Sequence, residues 1–335
     1  MKKILQHGIV ALALLHLCGC ANLIAHNITK PSGDQVVVDD SFNDYIDLHR
    51  QCIDDATPCL EYYQAKGYQE ISQQHEAKQH LSIKIKINDK TQLWDFNYDP
   101  EDPPLAPLTE DIIYLFPGWG TDPKIFMMHG NWLSTISGAD VYILPSANAS
   151  HRFSFGIDYL PYLKAHIQSR QPRKVHLIGF SMGAVAASHL HTELDNSALY
   201  LLAPMTDFRT SIHTFADKFS PWYATLVPSS SVDSAVDKVL SDATLQERDL
   251  DIVAKLNDYP SSSHIYLGNR DALVDNKPWF ASTNKNLDIK SYDESHMSLI
   301  TLTNLEMLSA LTSTLLAYPV SPKDTVILGT VSSED

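Results

Sequence analysis

Short apolar runs alternate with longer amphipathic stretches through the middle and the C-terminal part of the chain. Helical spacing of apolar residues is found in residues 157–171 and 299–318. Strands separated by helices need crossover connections, so this pattern predicts an α/β domain with a mostly parallel central sheet flanked by helices. The runs that are typical of buried strands cover residues 111–116, 140–144, 174–178, 198–202, 263–268 and 287–292.

The N-terminal third of the chain has a different pattern. Residues 81–87 alternate strictly between apolar and polar side chains, and residues 92–98 follow after an Asn-Asp turn, which predicts a β-hairpin. Residues 42–66 are predicted to form a helix or a helical hairpin. Residues 22–38, which contain a Pro-Ser-Gly-Asp turn, are predicted to be a tether.

The interval between Asp207 and Ser263 is too long for a plain connection between two strands, so it must hold structure of its own. Its apolar residues recur at helical spacing, which predicts a helical insertion over residues 209–262. These side chains could line a pocket for an acyl group, or could only seat the insertion on the core. They are Ile212, Phe215, Phe219, Trp222, Tyr223 and Leu226.

A turn rich in small residues joins a predicted strand to an alanine-rich helical stretch. It reads Gly179-Phe180-Ser181-Met182-Gly183, which is the pattern G-x-S-x-G in a strand–turn–helix setting. A serine on so tight a turn needs glycine two positions before and after it, because side chains there would collide with the adjoining strand and helix. The pattern predicts that Ser181 is a nucleophile and that the Met182 amide, at a helix N-terminus, faces a developing oxyanion.

A serine nucleophile needs a base and an orienting acid, and both residue types follow at the ends of later strands. Asp271 ends the run Gly-Asn-Arg-Asp after residues 263–268, and His296 follows the last strand and opens a helix. Asp207 is a second candidate for the acid, because it follows the strand after the nucleophile helix. The sequence favours Asp271 and His296.

The chain order serine, aspartate, histidine and the turn at Ser181 resemble the α/β-hydrolase superfamily, over residues 110–318. This resemblance implies an α/β-hydrolase fold in which the hairpin at 81–98 opens the sheet and residues 209–262 form a small helical cap. It also implies a second oxyanion donor after the strand at 111–116. Carried over, that donor is the amide of Trp119, although Pro117 stands where the superfamily usually has histidine.

The resemblance implies a serine hydrolase that cleaves carboxylic esters or related acyl compounds, with a small-molecule acyl substrate. No cofactor and no metal is expected. A peptidase of the proline-iminopeptidase-like kind is an alternative enzyme. A non-catalytic envelope lipoprotein that uses the fold as a binding module is an alternative from a different class.

The first twenty residues resemble a bacterial lipoprotein signal. A basic start precedes an apolar segment too short to span a bilayer, and Leu17-Cys18-Gly19-Cys20 resembles a lipobox. Read this way, residues 1–19 are removed and Cys20 carries the lipid. Ala21 follows Cys20 where an inner-membrane retention signal would have aspartate. We therefore expect a protein anchored in the cell envelope, with the outer membrane favoured. A plain secretory signal is the alternative.

The number of cysteines agrees with export. After Cys18 and Cys20 are accounted for, Cys52 and Cys59 remain as one pair, which predicts a disulfide in an oxidising compartment. Metal binding is disfavoured because no second pair accompanies them.

The formal net charge of −15 makes nucleic acid a poor partner. The predicted organisation comprises the signal peptide 1–19, an N-terminal region 20–80, the main domain 81–318 and a tail 319–335.

Overall fold

A computed structural model describes most of the chain. The described residues are 20–30, 44–54, 57–67, 70–71, 79–87, 90–98, 108–149, 152–220, 227–302, 304–320 and 332–333. The predicted signal peptide 1–19, the second half of the predicted tether and most of the predicted tail lie outside them. Within the described part, no helix is long and apolar enough to cross a membrane.

The main sheet has eight strands among the described residues, in the order β1-β2-β6-β5-β7-β8-β9-β10. The six strands from β6 to β10 in this order are mutually parallel, whereas β2 is antiparallel to β6 and to β1. This confirms the predicted mostly parallel sheet. The strands are β1 Ile46–Gln51, β2 Leu60–Ala65, β3 Gln79–Ile87, β4 Lys90–Tyr98, β5 Ile112–Phe116, β6 Asp140–Ile143, β7 Val175–Phe180, β8 Ser197–Leu202, β9 Ser263–Gly268, β10 Leu287–Tyr292 and β11 Ser332–Ser333.

Helices cover both faces of the main sheet, and each face has its own apolar cluster. On β5, Ile112, Tyr114 and Phe116 belong to one cluster, while Ile113 and Leu115 belong to the other. A strand buried on both faces is apolar at every position, which is why residues 111–116 read as a continuous apolar run. The helices are α1 (residues 20–29), α2 Met127–Ser137, α3 Leu160–Arg170, α4 Gly183–Thr192, α5 Phe208–Lys218, α6 Ser229–Ala243, α7 Glu247–Leu250, α8 Ile252–Asn257, α9 Lys277–Phe280, α10 His296–Ile300 and α11 Leu305–Leu316.

The predicted hairpin at residues 81–98 forms, but its predicted place in the sheet is wrong. Strands β3 and β4 pair antiparallel with each other, and β4 pairs with β11 in a separate three-stranded sheet. The strands that open the main sheet are instead β1 and β2. Strict alternation identifies a hairpin from local sequence, but its partner strands depend on contacts far along the chain.

The described residues of the range 42–66 do not form the predicted helix or helical hairpin. They contain β1 and β2, which pair from Ile46↔Ala65 to Gln51↔Leu60 at the edge of the main sheet. β2 also pairs with β6, and that long-range pairing overrides the local helical preference. The predicted disulfide is confirmed, because Cys52 and Cys59 are bonded across the turn of this hairpin, with a Cα–Cα distance of 4.2 Å.

The first part of the predicted tether is helix α1, which packs on the body. Ala21, Ala25 and Ile28 are buried, and their spacing of four and three residues places them on one face of the helix. Ala25 and Ile28 belong to the same apolar cluster as Ile112, Tyr114 and Phe116 of β5. The stripe is short and mostly alanine, and Leu23 and Ile24 lie between its members, so the sequence shows no clear amphipathic pattern in this segment.

The predicted insertion is helical and contains α5 to α8. Helices α6 and α8 belong to the body of the domain. Their residues Val236, Val239 and Leu256 are buried in the apolar cluster that also contains Ile112 and Tyr114 of β5. Helix α5 is joined to the helices that follow through Arg209, which pairs with Asp233 on α6 and Glu247 on α7. Helix α5 contacts two loops at the carboxyl edge of the sheet, as described below.

The hairpin disulfide generates a stability prediction. Replacing Cys52 and Cys59 together by serine should lower the free energy of unfolding by about 2 kcal/mol, because the short closed loop restricts the unfolded chain. Urea denaturation of the double variant and of the wild type measures this difference.

In the untreated wild type, Cys52 and Cys59 should both resist alkylation until a reductant is added. Ready alkylation without reductant would contradict the pairing.

Candidate active site

Ser181 lies on a sharp turn between β7 and α4, with a φ of 50°. The two flanking glycines have no room for a side chain. A Cβ on Gly179 would lie 2.7 Å from the Ala184 Cα, and one on Gly183 would lie 2.1 Å from the Phe116 carbonyl oxygen. The turn therefore requires glycine at both positions, as the sequence predicts. It places the Ser181 hydroxyl at the carboxyl edge of the parallel sheet.

Three side chains meet at this edge in a continuous line of hydrogen bonds. The His296 Nε2 lies 2.9 Å from the Ser181 Oγ, and the His296 Nδ1 lies 2.7 Å from the Asp271 Oδ2. Each residue follows a different strand: Ser181 ends β7, Asp271 follows β9 and His296 follows β10. Because parallel strands end at the same edge, residues far apart in sequence are brought into contact. This is the arrangement that activates a serine hydroxyl.

The Asp271 carboxylate is fixed by its own loop. Its side chain is fully buried, and its Oδ1 accepts hydrogen bonds from the amides of Leu273 and Val274 at 2.9 and 3.0 Å. The other oxygen remains for His296. His296 is held as the first residue of α10, where Ser295 and Ser298 form a reciprocal cap. Both groups are therefore oriented before any substrate binds.

The competing aspartate lies elsewhere. Asp207 is the N-cap of α5, and its carboxylate accepts a hydrogen bond from the Thr210 amide at 2.5 Å. Its side chain is exposed, and it makes no contact with His296 among the described residues. Helix capping accounts for this residue.

The loop after β5 lies against the nucleophile. A Cβ on Gly118 would be 3.2 Å from the Ser181 Cβ, so the loop backbone approaches Ser181 as closely as a glycine allows. Within the described part of the chain, no acceptor is hydrogen-bonded to the amide of Trp119 or of Met182. Met182 is the N-cap residue of α4. Both amides can thus donate to an oxygen that gains negative charge beside Ser181.

Two contacts hold this loop, which has Pro117 in place of the usual histidine. The Asn148 Oδ1 accepts a hydrogen bond from the Gly120 amide at 2.7 Å and another from the Ser146 hydroxyl at 2.8 Å. The Trp119 indole Nε1 donates to the Ile28 carbonyl oxygen of α1 at 2.6 Å. The loop is therefore positioned from the end of β6 on one side and from the N-terminal helix on the other.

Helix α5 stands over the same loop. The ring of Phe215 meets the Trp119 indole edge to face, with centroids 5.3 Å apart. The Lys218 ammonium group donates to the Ala272 carbonyl, next to Asp271, at 3.3 Å. Helix α5 thus lies over the loops that carry Trp119 and Asp271, and it forms a roof of the site.

Sequence reasoning missed Asn148 and Ile28. Asn148 follows a strand of the parallel sheet at its carboxyl edge, a position that could have marked it for attention. Ile28 acts through its carbonyl oxygen, so its side chain gives no signal of the contact.

Other histidines near the core have structural partners. The His129 Nε2 contacts the Thr301 carbonyl oxygen at 2.9 Å, and the His191 Nδ1 contacts the Ser197 hydroxyl at 2.7 Å. Burial lowers the pKa of His129 to about 4, and burial likewise lowers the pKa of His191 to about 4. Both are therefore neutral at physiological pH, whereas the two ring nitrogens of His296 contact a serine and a carboxylate. His296 is distinguished from them by that pair.

The similarity of this chain to known proteins is found among solved structures. No protein-family model and no curated protein sequence matches the chain. An esterase of Pyrococcus furiosus is 13% identical, with a TM-score of 0.45 over 72% of this chain and 92% of that chain. The carboxylesterase CesB of Bacillus subtilis is 10% identical, with a TM-score of 0.43 over 71% and 92%. The haloalkane dehalogenase DatA of Agrobacterium tumefaciens is 14% identical, with a TM-score of 0.42 over 71% and 96%.

Similarity at this level does not extend to a substrate or to the role of a residue. The sheet itself carries the assignment of the fold. Its parallel strands are flanked by helices on both faces, and the serine turn, the aspartate and the histidine follow strands β7, β9 and β10 in the predicted order. By this topology, the protein has the α/β-hydrolase fold.

Proposed function

We propose that this protein is a serine hydrolase that cleaves carboxylic esters or related acyl compounds. One observation carries the proposal: the hydrogen-bonded line from the Ser181 hydroxyl through His296 to the buried Asp271 carboxylate. In this arrangement the imidazole can take the proton of the serine hydroxyl, and the carboxylate stabilises the imidazolium that forms. The catalytic roles proposed for Ser181, His296 and Asp271 rest on this geometry.

The proposed reaction has two halves. The Ser181 Oγ attacks the acyl carbon while the His296 Nε2 takes the hydroxyl proton, and the Asp271 carboxylate stabilises the resulting imidazolium. The carbonyl oxygen becomes an oxyanion that accepts hydrogen bonds from the Trp119 and Met182 amides. His296 then gives its proton to the leaving alcohol, and an acyl-enzyme remains. Water, deprotonated by His296, attacks that ester, and the proton returns to Ser181 as the acid leaves.

We further propose that the protein is anchored in the bacterial cell envelope through lipid on Cys20, with the outer membrane favoured. The lipobox-like residues before Ala21 support this proposal. Cys20 is exposed and has a free thiol in the described part of the chain, so its side chain is accessible to modification. The Cys52–Cys59 disulfide is also what an exported protein would carry.

Removal of the nucleophile tests the catalytic proposal. Ser181→Ala should fold normally but lose ester hydrolysis by on the order of 10³-fold or more, because only binding and the oxyanion donors would remain. The measurement is turnover of p-nitrophenyl acetate, with a thermal melt as the control for folding. A fluorophosphonate probe should label the wild type and spare the variant. Labelling or turnover at the wild-type level in Ser181→Ala would remove Ser181 from the mechanism.

Paired substitutions test the acid. Asp271→Asn should lower kcat by roughly 10²–10⁴-fold, because an amide in that place favours the wrong imidazole tautomer. Asp207→Asn is the matched control, since asparagine caps a helix as well as aspartate, and its kcat should stay within about threefold of the wild type. The opposite ranking of the two kcat values would transfer the acid to Asp207.

The loop contact through Asn148 provides a test of the oxyanion site. Asn148→Leu should lower kcat by roughly tenfold with a smaller change in KM, because the loop that carries the Trp119 amide loses an acceptor for the Gly120 amide. Asn148→Asp keeps the acceptor oxygen and should restore most of kcat. If Asn148→Leu retained the wild-type kcat, the contact would have no role in positioning the loop.

A further inference from the structure

The residue proposed to carry lipid is joined to the body without a flexible tether. Helix α1 begins its described part at Cys20 and continues to residue 29, and Ile24, Ala25 and Ile28 pack in or against the apolar cluster of the domain. Cys20 therefore lies one helical turn before a residue that packs on the domain, within the same helix.

The other end of α1 touches the candidate active site. The Ile28 carbonyl oxygen accepts the hydrogen bond of the Trp119 indole, whose backbone amide faces Ser181 in the proposed mechanism. Ile28 lies eight positions after Cys20 in the helix, which corresponds to about 12 Å along the axis. A lipid on Cys20 would thus enter the membrane close to the oxyanion loop.

The outer side of α1 and the roof of the site expose apolar side chains. Leu23 lies three residues after Cys20, so both project from the same side of the helix, and Leu23 is 62% exposed. Phe219 follows Phe215 at the end of α5, stacks on its ring at 5.9 Å, and is 47% exposed. Met297, next to His296, is 42% exposed. We call these three exposed side chains the apolar rim: Leu23, Phe219 and Met297.

We infer that the substrate is an acyl ester of a lipid in the membrane that holds the anchor. The apolar rim contacts the bilayer surface, and α1 fixes the mouth of the site toward it. This inference rests on the proposed hydrolase activity and on the proposed lipid at Cys20. Ser181 would displace the lipid alcohol and form the acyl-enzyme, and water would then release the fatty acid, so that one ester bond is exchanged for one acid and one alcohol.

The physical argument concerns how the ester reaches Ser181. A long acyl chain is stable in the bilayer, since each buried methylene contributes about 0.8 kcal/mol, so a lipid rarely leaves the membrane for water. On a long flexible tether, the protein would rotate freely, and its active-site opening would often face away from the membrane. A fixed anchor beside the mouth keeps the lipid ester at a high effective concentration.

The test uses the full-length protein, processed in a bacterial host and reconstituted in phosphatidylcholine vesicles. One variant carries a flexible Gly-Ser insertion of about ten residues between Cys20 and Ala21, which keeps the lipid and frees the body. Release of fatty acid from the vesicle lipid should fall by roughly fivefold or more in this variant. Hydrolysis of water-soluble p-nitrophenyl butyrate should stay at the wild-type level. Mass spectrometry of the N-terminal peptide checks that Cys20 carries lipid.

A matched pair of substitutions tests the apolar rim. Leu23→Ser should lower release of fatty acid from the vesicles several-fold, while Leu48→Ser, at a leucine of nearly equal exposure on the edge strand β1, should not. Serine at either position replaces an exposed leucine, so folding should be equally little affected. Equal release by the two variants would show that the apolar rim does not contact the bilayer.

The outcomes separate the two proposals. No hydrolysis of either substrate by the wild type would overturn the proposed function itself. Hydrolysis of the soluble ester without release of fatty acid from the vesicles would overturn the inference about the substrate alone. That inference would also be overturned if Cys20 carried no lipid, or if the insertion left both activities unchanged.

Discussion

The close contact between the backbone of Gly183 and the end of β5 sets the geometry of the whole site. The space for a Cβ at Gly183 is already taken by the carbonyl oxygens of Phe116 and Pro117. The first turn of α4 therefore packs directly against the end of β5 and the loop that follows it. This close packing places Ser181 beside Gly118. A single methyl group at position 183 would force the two elements apart, and the nucleophile would separate from the amides that face it.

The parallel sheet brings the site residues to one edge, and hydrogen bonds within the loops fix their orientation. The ends of β7, β9 and β10 bring the serine, the carboxylate and the imidazole to one edge. Backbone amides of the loop at Leu273 then fix the carboxylate, and Asn148 and Ile28 fix the loop after β5. The site thus combines strand ends that are rigid with loops that are each held by only a few hydrogen bonds among the described residues. Changes in those loop contacts would alter the site without disturbing the sheet.

The sequence was most informative where the structure is decided locally. The turn at Ser181 needs glycines at fixed positions, and the buried strands of the parallel sheet are largely apolar, so both can be predicted from short stretches of chain. Residues 46–65 could not be assigned this way, because their strands carry polar residues at an exposed edge and are fixed by pairing with β6. Helix α1 was missed because its buried face is largely alanine. Asn148 acts on a loop 28 residues away in sequence, and no local pattern shows that contact.

The distance along the chain between the site residues has a consequence for the life of the protein before it folds. Ser181 and His296 are separated by 115 positions, and they meet only when three strands have been added side by side to the sheet. Contacts of this separation form late, after most of the loop entropy has been lost. Until those strands pair, a newly made chain carries the serine with no imidazole to activate it. For the proposed enzyme, esters that the unfolded chain meets would stay intact until the sheet is complete.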